Sequence, residues 1–294
     1  MSSHDRGRAE NLRAFFASYV VAADWAPHLG ISHQKSPLPR VEMAFARVPR
    51  ERFAGPGPWW IWTGAAYVRT PDDDPAFLYQ DTLIALDRLR GVNIGQPSLH
   101  ARCLGALAVC EGESVVQVGA GSGYYTALLA ELAGPSGLVT SFEIDSGLAE
   151  RATANLADRP TVTVLARSGT ADRVPCADVI YVNAGATRPA SVWLDALRPN
   201  GRLLFPLTPE RGAGMGAMLL VTRAAAASIF PACFVCPAQF ISCDGARDPA
   251  TAARLARAFA NGGWQQVRSL RIDSLPDGTC WFAGDGWWLS TALP

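Results

Sequence analysis

Glu113–Glu143 reads ESVVQVGAGSGYYTALLAELAGPSGLVTSFE, and the order of its parts decides the fold. Val115, Val116 and Val118 form a β-branched run that suits a strand buried on both faces. Gly119, Gly121 and Gly123 follow, where a missing Cβ permits positive φ and lets a ligand approach the main chain. Ser122 is placed to cap the alanine- and leucine-rich helix that begins there. A second strand then runs to Glu143. In a βαβ unit, an acid about 20 residues beyond the glycine turn ends the next strand and faces the same crevice. A carboxylate there accepts hydrogen bonds from both hydroxyls of a ribose. The stretch is half of a doubly wound nucleotide-binding unit, and glycine spacing alone would not have said so.

Working outward, the 294 residues hold 49% apolar and 18% charged side chains, the profile of a globular chain. Basic and acidic residues balance at 26 each, so no overall electrostatic footprint points to a nucleic-acid partner. Apolar runs are broken well before the roughly 20 residues of a spanning helix, so no membrane partner is expected. The charged start MSSHDRGRAENLRAFF lacks the apolar core and cleavage site of a secretory signal, and a cytoplasmic location is expected.

Upstream, Arg8–Ala22 has helical apolar spacing at Leu12, Phe15, Phe16, Tyr19 and Val20, with Trp25 beyond. A short helix with Met43, Phe45 and Val48 leads to Trp59, Trp60 and Trp62, which pack a core or wall a substrate cleft. Thr70–Pro75 reads as a solvated acidic loop. The helix from Pro97 places Leu99, Cys103, Leu104 and Leu107 on one face, with proline tolerated in its first turn. Downstream, βα alternation continues through Ser146–Leu156, Thr161–Leu165 and Asp178–Val182, where Ala184 and Gly185 open the backbone at the carboxyl edge of the sheet. Trp193–Leu197 reads as helix, RLLFPL and Met218–Thr222 as strands. Ala224–Ala227 and Ala250–Ala260 are alanine-rich, the latter a helix. A final strand–turn series carries Trp281, Trp287 and Trp288, either packed or lining a cleft.

Seven cysteines, an odd number, sit mostly in apolar contexts and are expected reduced and buried. Cys233, Cys236 and Cys243 hint at a metal site, but the first two lie in a strand-like run and every histidine is far upstream, so no metal is expected.

These residues resemble the protein-L-isoaspartate O-methyltransferase family from about Arg50 to Leu207. VVQVGAGSGYYTALLA looks like its cofactor turn, Tyr79–Asp81 like its tyrosine-x-aspartate, and DVIYVNAGA like its fourth-strand signature. The resemblance implies a Rossmann-like class I methyltransferase fold, α/β, with a mostly parallel central sheet between helices. The organisation expected is an N-terminal helical and aromatic segment (1–78), a core (79–223) and a C-terminal α+β appendage (224–294). S-adenosylmethionine is the implied cofactor, leaving S-adenosylhomocysteine. Its implied contacts are Val118, Gly119, Ala120, Gly121, Ser122, Gly123, Glu143, Ile144, Ser168, Gly169 and Asn183.

Three positions depart from the family pattern. Gly95 stands where a serine is expected to hold the acceptor carboxylate. Ser168–Gly169 replaces an aspartate–glycine pair, with a hydroxyl still able to accept from an adenine amino group. Gln117 replaces an acid at the end of the first strand. NIGQPSLHA resembles a branch that modifies ribosomally made peptides. The expected acceptor is therefore a carboxylate of a peptide or protein, with a small metabolite, or a binding module without turnover, as alternatives. An ionised carboxylate needs no general base near pH 7, so alignment and water exclusion carry the rate. Asp81, Gln96 and Ser98 are the acceptor-side candidates, Asp81 as base or helix cap, with His100 a further candidate base or a structural residue.

Overall fold

The computed structural model describes residues 3–23, 38–171, 173–224, 228–272 and 275–294. Trp25 and Ala225–Ala227 lie outside the described residues. Along the chain, α1 (Ser3–Ala22), α2 (Leu38–Arg47) and α3 (Arg50–Ala54) precede β1 (Trp60–Trp62), β2 (Tyr67–Arg69), β3 (Ile84–Asp87) and β4 (Val92–Ile94). Next come α4 (Pro97–Leu107), β5 (Ser114–Val118), α5 (Tyr124–Ala133), β6 (Leu138–Phe142), α6 (Ser146–Asn155), β7 (Val162–Leu165) and β8 (Ala177–Val182). The chain continues through α7 (Ser191–Ala196), β9 (Leu197–Leu207), β10 (Gly216–Thr222) and β11 (Ile229–Ala238). It ends with α8 (Pro249–Ala260), β12 (Ser269–Arg271), β13 (Cys280–Ala283) and β14 (Trp288–Ser290). Two compact units interleave: Met1–Gly112, Ala120–Val139 and Asp145–Ala166 form the first, and Glu113–Gly119, Thr140–Ile144 and Arg167–Pro294 the second.

In the first unit, a small antiparallel sheet runs β2-β1-β3-β4. The tryptophan cluster belongs to it: Trp60 lies under the Arg88 guanidinium and Trp62 packs edge-on against Tyr67, while Trp59 is buried. The N-terminal helices form as expected but present different faces. On α1 the buried row is Ala9, Phe16, Ala17, Val20 and Val21, and Phe15 and Tyr19 point outward. On α2, Met43 is exposed and Val41, Ala44 and Phe45 are buried. On α4, His100 and Ala101 join the buried face with Cys103, Leu104 and Leu107, whereas Leu99 is only half-buried. The Thr70–Pro75 loop is less solvated than its composition suggests: Thr70 is buried and Asp74 pairs with Arg8.

The second unit is organised on one sheet, ordered β13-β14-β12-β11-β10-β9-β8-β5-β6. β5, β8 and β9 run parallel, and from β9 onward every pairing is antiparallel. The parallel strands are nearly continuous apolar runs, as burial on both faces requires. Gln117 is the buried exception, its Oε1 accepting from Ser141 Oγ at 3.0 Å. Asp248 caps α8, accepting from Thr251 N–H, and Pro249 fills the first helical position. Trp287 and Trp288 are buried, and Trp281 packs on Phe234 and Phe259, so these rings are core. All seven cysteines are free; Cys103, Cys236 and Cys243 are buried, but Cys110 and Cys176 are exposed, against the expectation of uniform burial.

Candidate functional site

The carboxyl ends of β5, β6 and β8 converge in the second unit. Gly119 N–H donates to Phe142 O at 2.8 Å, and Asn183 N–H donates to Val118 O at 2.8 Å. Gly119 has φ +85°, a conformation that disfavours any side chain. Glu143, next to Phe142, is buried. Asn183 Oδ1 is buried with no hydrogen-bond partner. Gly169 completes the floor: a Cβ there would lie 2.7 Å from Val118 Cγ2 and 3.2 Å from Phe142 Cβ, so only glycine lets the 168–170 backbone rest on these strand ends. Trp193 Nε1 donates to Gly169 O at 2.8 Å and fixes that contact. Val118, Gly119, Glu143, Ser168, Gly169 and Asn183 are thus brought together. Ile144 follows Glu143 but is largely exposed.

Ala120–Gly123 belong to the first unit. Gly123 N–H donates to Ala120 O at 2.9 Å, closing the turn, and Gly121 and Gly123 have φ +57° and +94°. Ser122 does not cap α5: Gly123 is the N-cap, with no side-chain cap hydrogen bond. Instead Ser122 O accepts from Asn155 Nδ2 at 2.9 Å, and its Oγ is buried without a hydrogen-bond partner. The helix therefore opens on a glycine N-cap that supplies no side-chain acceptor of its own.

Asp81, Gln96 and Ser98 also meet in the first unit. Asp81 Oδ1 accepts from Ser98 N–H at 2.8 Å, and its Oδ2 from Ser98 Oγ at 2.7 Å and Gln96 Nε2 at 2.9 Å. Gln96 is the N-cap of α4 but makes no side-chain cap bond, so Asp81 caps the helix from a distant loop. That loop is held by Arg50, which the sequence reading overlooked. Its buried guanidinium donates to Leu78 O at 2.6 Å, Gln80 O at 2.9 Å and Thr82 O at 2.8 Å, and it lies between the Phe16 and Tyr124 rings. Burial pulls the Arg50 pKa downward, partly opposed by Tyr125, Tyr124 and Asp81.

His100 is not a solvent-facing base. It is buried and stacked on Tyr125 at 3.5 Å between ring centroids, and its pKa is pushed down to about 3, first by desolvation and then by the Arg50 charge. It also explains Gly95. A Cβ at that position would fall 2.2 Å from His100 Nε2, and Tyr125 Oη donates to Gly95 O at 2.8 Å, so the backbone cannot easily retreat.

Among the described residues, no group of three or more His, Cys, Asp or Glu side chains could hold a metal ion, and no helix is long and apolar enough to cross a membrane.

The parallel β5–β8–β9 core, with a glycine turn after β5 and a buried acid after β6, defines the class of Rossmann-like methyltransferases. The model of the family described as Protein-L-isoaspartate(D-aspartate) O-methyltransferase matches residues 33–229, and the chain belongs to this family. A protein-L-isoaspartate O-methyltransferase of Ignicoccus hospitalis is 33% identical over 176 residues, 58% of this chain and 75% of that protein. One from Aeropyrum pernix is 37% identical over 177 residues, 58% of this chain and 61% of its own. Two solved structures share the fold. One, a protein-L-isoaspartate O-methyltransferase, has TM-score 0.61 at 20% identity, covering 78% of this chain and 65% of its own. The other, from Plasmodium falciparum in complex with S-adenosyl-L-homocysteine, has TM-score 0.58 at 18% identity, covering 81% and 98%.

Proposed function

We propose that the chain transfers a methyl group from S-adenosylmethionine to a carboxylate of a peptide or protein. The observation that carries this reading is the meeting of Gly119, Glu143, Ser168 and Asn183 at the ends of β5, β6 and β8. The residues fit the cofactor: the Glu143 carboxylate, the Asn183 Oδ1 left without a partner and the Ser168 hydroxyl are acceptors, and an adenosyl group donates through ribose hydroxyls and an amino group. Gly119 puts no side chain at the end of β5, so a ligand can approach the main chain closely there.

Bound S-adenosylmethionine supplies a methyl group already activated by its positive sulfonium. Glu143 would hold the ribose, Ser168 would accept from the adenine amino group, Asn183 Oδ1 would take a remaining donor of the adenosyl group, and Gly119 would keep a side chain off the cofactor. Asp81 engages the Ser98 hydroxyl and one Gln96 amide hydrogen, orienting both side chains. Gln96 keeps a second amide hydrogen, spent only on a long 3.4 Å contact to Ser98 Oγ, to offer an acceptor carboxylate. No group need remove a proton, because the acceptor is ionised near pH 7. Gly95 and His100 close the space a serine would occupy, so the acceptor carboxylate is bound without that hydroxyl, and isoaspartate is not carried over as the substrate.

The test is the stability of the product. A methyl-labelled donor incubated with peptide and protein pools should yield an ester that releases labelled methanol in mild base. A base-stable methyl ether or amine would refute carboxyl transfer.

A further inference from the structure

The segment Ile241–Arg247, beyond the family-matched residues, is sewn to the loop after β8. Gly185 N–H donates to Ile241 O at 2.7 Å, Gly185 O accepts from Cys243 N–H at 2.8 Å and from Arg247 Nη1 at 2.9 Å, and Thr187 N–H donates to Ala246 O at 3.0 Å. A parallel bridge joins Gly185 to Ser242. This attachment brings Asp244 O to 2.7 Å from Thr170 Oγ1, two residues beyond Ser168.

The direction of each hydrogen bond in this chain is forced. A carbonyl oxygen only accepts, so the Thr170 hydroxyl hydrogen is committed to Asp244 O. Thr170 Oγ1 then has only lone pairs to offer, and the 2.8 Å contact between it and Ser168 Oγ must be filled by the Ser168 hydroxyl hydrogen. Thr170 N–H reaches back to Ser168 Oγ at 3.2 Å and takes one lone pair. What Ser168 has left is a second lone pair: it can accept from a ligand but cannot donate to one.

We propose that the C-terminal segment, through Asp244 O and Thr170, locks the Ser168 hydroxyl as an acceptor, so that the site selects an exocyclic amino group and rejects a carbonyl at the same ring position. Thr170 is a positioning residue, and the relay gives a neutral serine the acceptor-only behaviour of a carboxylate. The inference rests on the reading above, in which Ser168 meets the adenine amino group.

The experiment compares calorimetric binding of S-adenosylhomocysteine with its 6-oxo analogue, S-inosylhomocysteine, to the full chain. The intact protein should prefer the amino form by roughly tenfold or more, the scale of one mismatched hydrogen bond. Thr170→Val frees the Ser168 hydroxyl to turn and donate, and should bring the preference close to that of Ser168→Ala, within about threefold of unity; Thr170→Ser should restore it. A second variant approaches from the other side. A Cβ at Gly245 would sit 2.3 Å from Thr170 Oγ1, so Gly245→Ala should displace Thr170 from Asp244 O and lower the same ratio, even if Thr170→Val does not fold. If Ser168→Ala loses the preference while Thr170→Val and Gly245→Ala keep it, the relay is overturned and the adenine reading stands. If Ser168→Ala keeps it, the placement of adenine fails and the relay with it.

Discussion

Glu143 is buried directly after β6, where the backbone bond from Gly119 N–H to Phe142 O joins the ends of β5 and β6. Replacing it with alanine removes hydrogen bonds to a charged acceptor, each worth about 1.5–3 kcal/mol, so S-adenosylhomocysteine affinity should fall by about tenfold to more than a hundredfold. Glu143→Gln, which keeps an acceptor, should lose less, and unchanged calorimetric affinity in the alanine variant would sink the assignment. His100 makes a different prediction, in pH. Its folded pKa is depressed to about 3 by desolvation and by Arg50, below the ordinary 6.5, so the unfolded chain binds a proton that the folded chain refuses. The stability is present above about pH 6.5 and is lost as pH falls from there towards 3, at about 1.4 kcal/mol per pH unit. Denaturant midpoints measured across that window should show His100→Phe with a shallower slope than the parent; identical slopes would exclude a neutral buried imidazole. The place of Glu143 directly after β6 was legible because strand length and helix length are local. Gly95 was legible only as an anomaly, since its cause, the imidazole overhead, depends on how α4 rolls against α5, and the stripe Leu99–Leu107 hid the histidine.

At the scale of elements, the loop 78–82 and the start of α4 form one device, with Arg50 inside it and Asp81 at its rim. The YQD motif was readable, and so was α4 from Pro97, but their joining was not, because Asp81 caps a helix 17 residues away. Arg50 stands in VPRERF among other charged side chains, and nothing local marks it as the fully buried one. Its partners are carbonyls rather than a carboxylate, so removing it strips donors from a buried loop without leaving an opposite charge behind. Arg50→Leu should therefore destabilise by more than about 3 kcal/mol, since each deprived buried acceptor costs about 1–3 kcal/mol. Arg50→Lys should recover only part of this, because an ammonium is a point donor and cannot span Leu78, Gln80 and Thr82 as a planar fork does. Chemical denaturation measures both, and an Arg50→Leu variant within about 0.5 kcal/mol of the parent would show that the loop stands unaided.

Across the whole molecule, the family-matched stretch ends at 229, at the first residue of β11, yet in the second unit the sheet does not stop there. β11 pairs along β10 from Gly216↔Ala238 to Val221↔Ala232, then hands on to β12, β14 and β13. These pairings were not readable, since short strands separated by loops and α8 carry no local sign of which edge they join. A chain ending at 223 tests whether the segment 224–294 is a separable appendage. Such a chain exposes the β10 edge, whose Ala217, Met218, Leu219 and Val221 are buried in the full protein, and unpaired apolar edges invite association. It also loses Ile241, Cys243 and Arg247, which satisfy Gly185 beside Asn183, and Asp244, which orders Thr170. The truncated chain should aggregate when the full chain does not, and any soluble fraction should bind S-adenosylhomocysteine at least about tenfold more weakly, as expected when a site loses the hydrogen bonds that order it. Light scattering and calorimetry on the two chains decide the matter. A soluble 1–223 chain with the affinity of the whole would make the C-terminal segment a separable appendage, whereas aggregation and lost affinity together would make it part of the cofactor site.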